Sequence, residues 1–204
     1  MKAGLLMIKK IFLITALMIT LLTATAFAEK TDWSDKNYNF GEIKTVLIDE
    51  VEFNEDVDSD VMEKVLQEDF LKNATHTKEI KIVESGSADV YVKAKVTEWS
   101  SSYYIRPAYT TWEKKERRRE RKRSDGKKET EIYYVEVPVE HPAQRIDTST
   151  IKMRFDVCDS STDEVIFSRE EIRTKDSANG HRGMFGRITK SFFDDLGKKV
   201  KKSK

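Results

Sequence analysis

Two stretches of this chain alternate so regularly between apolar and polar residues that they admit one local structure. Val90, Val92, Ala94 and Val96 interleave with Tyr91, Lys93, Lys95 and Thr97; Ile151, Met153, Phe155 and Val157 interleave with Lys152, Arg154 and Asp156. A period of two sends successive side chains to opposite faces, so each stretch is a strand with one buried face. A sheet with one dry face needs a second layer to cover it. Two helical stripes supply that layer. Val61, Met62, Val65, Leu66 and Phe70 form one, ending near Asn73; Phe185, Ile188, Phe192 and Leu196 form the other. Asp56-Val57-Asp58-Ser59-Asp60 precedes the first stripe with side chains suited to capping a helix. Lys44 to Phe53, Ile80 to Val83 and Glu164 to Arg169 read as further strands, and residues 29–43 as an extended lead-in pinned by Trp33, Tyr38 and Phe40. The expected class is α+β: a mostly antiparallel sheet with two helices on one face, in the order β-α-β-β-[β-hairpin arm]-β-β-α.

The first 28 residues read differently. Lys2, Lys9 and Lys10 precede the apolar run Ile11 to Leu22, which gives way to small residues ending in Ala26-Phe27-Ala28. A charged leader, a short apolar core and a small-residue exit make a secretory signal peptide, with cleavage expected between Ala28 and Glu29. The run is too short for the ~20 apolar residues that cross a bilayer as a helix. This predicts a periplasmic or secreted protein with a single mature domain over 29–204 and no transmembrane helix in it. The only cysteine, Cys158, lies far from the cleavage point. Lipidation at the new N-terminus is therefore not expected, and an internal disulfide is excluded. In its strand pattern Cys158 reads as a plain half-buried or exposed thiol. Without the leader the chain has 34 basic against 36 acidic residues, so its surface is well solvated rather than polycationic.

Charge is nevertheless concentrated in one place. From Glu113 to Lys128 there are ten Lys and Arg against four Asp and Glu. Trp112 and five of the seven tyrosines, among them Tyr104, Tyr133 and Tyr134, lie close by. Asp125-Gly126 is a strong hairpin turn pair. Pairing outward from a two-residue turn sets Lys115 opposite Glu136, Arg117 opposite Tyr134, Arg118 opposite Tyr133 and Trp112 opposite Val139. The sequence thus predicts a β arm at about 103–139 inserted into the domain, with Pro138 limiting the regularity of its base. Positive charge attracts phosphates and carboxylates, and flat rings stack on sugars or bases. The candidate binding residues are Tyr104, Trp112, Arg117, Arg118, Arg119, Arg121, Tyr133 and Tyr134. Export makes nucleic acid an unexpected partner, leaving an envelope polyanion, an anionic lipid surface or another envelope protein. The bland reading is a solvated ribbon laced by its own ion pairs.

Catalytic and metal-binding patterns are sparse. The three histidines, His76, His141 and His181, share no ligand spacing, and each reads as a surface residue. No nucleophile elbow or phosphate loop is present, so no cofactor and no enzymatic activity are expected. An alternative anion site is Gly180, His181, Arg182 and Gly183 before the last helix, where free amides and glycines would admit a ligand. The alternative functions are a hydrolase using a carboxylate pair with His181, and a structural subunit that assembles through the arm.

Three segments carry a resemblance. Tyr38-Asn39-Phe40-Gly41-Glu42-Ile43-Lys44-Thr45-Val46, Ser87-Ala88-Asp89-Val90-Tyr91-Val92, and Phe155-Asp156-Val157-Cys158-Asp159 with Asp163-Glu164-Val165-Ile166-Phe167 resemble a family of small bacterial envelope proteins. Many of its members are lipoproteins, and it is defined only as a domain of unknown function. The pattern is also similar to the N-terminal domain of the Tol-system propeller protein and to the curli secretion lipoprotein. The resemblance implies an α+β domain facing the periplasm and no assigned reaction. This chain departs from it in lacking the lipid-bearing cysteine and in carrying the basic arm.

Overall fold

The computed structural model describes residues 27–57, 60–83, 85–122 and 124–203. The signal-peptide reading falls almost entirely on residues outside that set, as does the capping reading at Asp58 and Ser59. The strands are β1 (Phe27–Ser34), β2 (Thr45–Glu52), β3 (Lys81–Val83), β4 (Val90–Arg106), β5 (Tyr109–Lys122), β6 (Lys128–His141), β7 (Gln144–Asp159) and β8 (Val165–Lys175). The helices are α1 (Asp60–Thr75) and α2 (His181–Lys202), and a short 3-10 turn spans Phe40–Glu42. The chain divides into two compact units, one running through Ser102 and resuming at Thr148, the other Tyr103–Asp147.

The first unit is the expected α+β layer pair. Its six strands lie in the order β1-β8-β7-β4-β2-β3. β1 and β7 flank β8 antiparallel, whereas β2 runs parallel to both β3 and β4. The parallel pairs follow from α1, which carries the chain across between β2 and β3, as a parallel connection requires. The apolar members of both alternations, Val90, Val92, Ala94 and Val96 on β4 and Ile151, Met153, Phe155 and Val157 on β7, are buried, and both helices pack on that face. Phe155 of β7 stacks on Phe70 of α1 at 6.2 Å and on Phe192 of α2 at 4.2 Å, so one ring ties the sheet to both helices.

The expected lead-in is corrected by the structure. Residues 27–34 are an edge strand paired along their length with β8, and Trp33 is exposed rather than a pin. Phe40 is buried and Tyr38 packs beside it. Gly41 has a local reason: a Cβ there would stand 2.5 Å from the Ser203 carbonyl oxygen at the end of α2. Cys158 is buried, not half-buried or exposed, and burial pushes its thiol pKa up, away from a reactive thiolate.

The second unit contains the two-stranded β5-β6 ribbon. Asp125 and Gly126 do lie in its turn, with Gly126 at φ 80° and the Asp125 carboxylate accepting from the Lys127 N–H. The strands, however, close on the pair Lys122–Lys128, so five residues rather than the expected two join them. Every cross-strand pair is displaced by one residue from the expected register. Lys115 faces Val135, Arg117 faces Tyr133, Arg118 faces Ile132 and Trp112 faces Pro138. A slip of one exchanges the faces of one strand relative to the other.

Candidate functional site

That slip decides what the arm presents. Alternation sorts the ribbon into two faces. One carries Glu113, Lys115, Arg117, Arg119 and Arg121 on β5, with Val137 and Val135 opposite the first two and Tyr133, Glu131 and Glu129 opposite the three arginines, a net +1 that is positive through its four consecutive cations. The other carries Trp112, Lys114, Glu116, Arg118, Glu120 and Lys122, with Pro138, Glu136, Tyr134, Ile132, Thr130 and Lys128 opposite. Of the sequence-predicted residues, Arg117, Arg119, Arg121 and Tyr133 therefore meet on a cationic face. Trp112, Arg118 and Tyr134 lie on the reverse, mixed face, and Tyr104 lies on β4 outside the ribbon.

On the cationic face the basic side chains recur every second residue, roughly 6.8 Å apart along the strand. Arg119 is engaged, with its guanidinium 2.9 Å from Glu131 and 5.8 Å from the Tyr133 ring centroid. Arg117 has no hydrogen-bond or ion-pair partner among the described residues. On the reverse face Arg118 pairs with Glu116 and Lys128 with Glu120, both at 2.9 Å and well exposed. Such exposed pairs contribute ~0–1 kcal/mol and leave the charges available to a partner. Ile132, which sequence reasoning passed over, is an apolar residue exposed between Arg118 and Tyr134. The signal that could have found it was a lone isoleucine in a charged run.

The Gly180 region has a different character. α2 begins at His181, so His181, Arg182 and Gly183 lie inside the helix rather than before it. The Gly180 N–H donates to Ser149 Oγ, and Arg182 is forked onto Asp69 at 2.8 and 3.2 Å. His181 is buried, contrary to its surface reading. Its ring stacks on Trp99 at 4.6 Å, and its Nε2 donates to the Ser100 carbonyl at 2.7 Å. A groove of about 400 Å³ beside it is lined by Asp56, Met62, Trp99, Ser101 and Asn179. His76 is exposed, and His141 stacks on Tyr109 at 4.5 Å. Ala28 and Glu29, flanking the expected cleavage point, lie in β1 opposite Arg173 and Ile172. Among the described residues no group of His, Cys, Asp or Glu is placed to hold a metal ion, and no helix is long and apolar enough to cross a membrane.

The residues that carried the resemblance hold the sheet together at one end. The Asp89 carboxylate accepts from the Lys44 N–H, the Thr45 N–H and the Thr45 hydroxyl, each at 2.8 Å, and these bonds hold its carboxyl below the usual range. Asp159 accepts from the Ser161 and Tyr38 hydroxyls and from backbone N–H groups, which bring it down to about 2. Tyr91 donates to Asp163 in the same corner. Their carboxylates are thus occupied in joining loops to strands.

The fold and the arm define an α+β protein bearing a long, separately compact β ribbon with a cationic face. No family model matches the chain, and no curated protein matches it. Solved structures give partial likenesses. The PelC dodecamer from Paraburkholderia phytofirmans is 12% identical, with a TM-score of 0.48 over 84% of this chain and 98% of that one. Protein XCC0632 from Xanthomonas campestris, of the domain-of-unknown-function family DUF330, is 10% identical, with a TM-score of 0.45 over 85% and 90%. At these values neither carries an argument about function.

Proposed function

We propose that this is an exported, non-enzymatic protein of the cell envelope whose arm binds an anionic partner through its cationic face. The observation that carries the reading is the gathering of Arg117, Arg119, Arg121 and Tyr133 on one exposed face, with Arg117 lacking any partner among the described residues. Guanidinium groups fork onto carboxylates and phosphates, and a neighbouring ring adds a stacking surface. The leader sequence supports export, so the anion belongs to an envelope polyanion, an anionic lipid surface or an acidic envelope protein.

Arg117→Glu with Arg121→Glu is expected to weaken binding to polyphosphate, or to phosphatidylglycerol vesicles, by at least ~10-fold, whereas Arg118→Glu on the reverse face changes it little. The parent affinity should also fall as salt rises. Equal effects from the two faces, or none from either, would sink the cationic-face reading. Export has its own check. Cell fractionation with N-terminal sequencing should find the protein outside the cytoplasm, beginning at Glu29; intact chain in the cytosol, Met1 first, contradicts it.

A further inference from the structure

The reverse face of the arm leads beyond anion binding. We propose that it packs against the same face of a second copy of this chain, the two ribbons lying antiparallel across a two-fold axis. A two-stranded ribbon alone in water is marginally stable and becomes secure when one face is packed. β5 and β6 form such a two-stranded sheet, yet Trp112 and Tyr134 are each 66% exposed and Ile132 is 52% exposed. Large apolar side chains clustered on one face, rimmed by charge, mark an interaction surface.

Charge selects the occupant. In the half nearer the base, Thr110 to Glu116 with Tyr134 to Glu140, Lys114 stands against Glu116, Glu136 and Glu140, a net −2. In the half nearer the tip, Arg118, Lys122 and Lys128 stand against Glu120, a net +2. A face whose two ends carry equal and opposite charge complements itself when turned end for end, which is the geometry of an isologous two-fold interface. Because the whole face is neutral, it offers a polyanion or a lipid headgroup layer no net attraction. The cationic face stays outward for those. The surface is small, 14 residues a side, against the ~20–30 of a standard interface, so association should be weak and concentration-dependent.

Sedimentation equilibrium on the purified full chain tests this. The mass is expected to rise with concentration from that of one chain toward that of two. Lys122→Glu with Lys128→Glu makes both halves negative, and Glu136→Lys with Glu140→Lys makes both positive. Each pair alone should weaken association at least ~10-fold, because like charges then meet across the axis. Mixing the two variants should restore it as a heterodimer, which also shows that both have folded. A parent mass fixed at one chain throughout, or variants that stay apart when mixed, overturns the proposal. Arg117→Glu with Arg121→Glu should leave the dimer intact, and loss of the dimer there overturns the assignment of faces. Anion binding is read separately from mass, so either reading can fail without the other.

Discussion

Phe192→Ala is expected to unfold in urea at a free energy about 4 kcal/mol below that of the parent chain, near the middle of the ~3–5 kcal/mol typical of a fully buried Phe. Phe192 has no exposed surface, and its ring touches every layer of the first unit. It stacks on Phe155 at 4.2 Å with a 10° interplanar angle, lies parallel to Phe167 at 6.0 Å, and meets Phe193 edge-on at 5.0 Å. The cavity left by alanine could shrink only if a neighbouring ring moved into it. Phe155 is held from its own side by Phe70, so it cannot follow without opening a second gap. The larger part of the transfer and cavity cost should therefore be felt. Folded domains have ~5–15 kcal/mol in total, so the variant should sit near its threshold. Phe192→Leu, which keeps most of the volume, should lose less than half as much. A measured loss below ~1.5 kcal/mol for the alanine variant would mean that the site collapses and that α2 is not packed on the sheet as described.

The parts of this fold that could be read from the sequence are those whose signal is local. The alternation at Val90–Val96 and Ile151–Val157 and the stripe Phe185, Ile188, Phe192, Leu196 each report burial through spacing alone, and each lies in the core. β1 carries no such signal. Its residues are almost all exposed, and it is a strand only because β8, more than a hundred residues later, pairs with it. The arm was half legible. Asp125-Gly126 marked its turn, but turn chemistry does not say how many residues flank it before pairing starts, and a miscount of one set Tyr134 instead of Tyr133 opposite Arg117. Charge density alone grouped Arg117, Arg118, Arg119 and Arg121. Strand geometry separates the second of them from the rest. Nothing in composition announces Arg169 either, because its partners lie 137 and 26 residues away in sequence.

Arg169 is the second position where a large effect is expected. Its guanidinium is 1% exposed on β8, forked onto Asp32 of β1 at 2.7 and 2.9 Å and reaching Asp195 of α2 at 3.0 Å. It lies over the rings of Phe167 and Phe192 at 5.6 and 5.8 Å. Asp195 also receives Lys30 at 3.0 Å and Lys198 at 2.9 Å, so the cluster ties the edge strand to the sheet and the sheet to the helix. Arg169→Ala should cost about 3 kcal/mol, the low end for breaking a buried pair, because both carboxylates are a quarter to a third exposed and water partly replaces the lost charge. Arg169→Met, which keeps the stem packed on the two rings, should cost clearly less. The pH dependence separates an ionic role from a packing one. Burial alone would raise the Asp195 pKa, but hydrogen bonds from Lys198 and Lys30 and the charge of Arg169 outweigh it and hold the carboxyl well below the usual carboxylate range. A carboxyl whose folded pKa is depressed contributes stability above its unfolded pKa of ~3.9 and loses it as pH falls below that value. The gap between parent and Arg169→Ala should thus be widest near pH 6–7 and narrow progressively below ~pH 4, as the advantage of the ionised Asp195 carboxylate beside the arginine is lost. A gap that stays constant from pH 7 down through pH 3 would make Arg169 a space-filling side chain and refute the ionic tie between β1, β8 and α2.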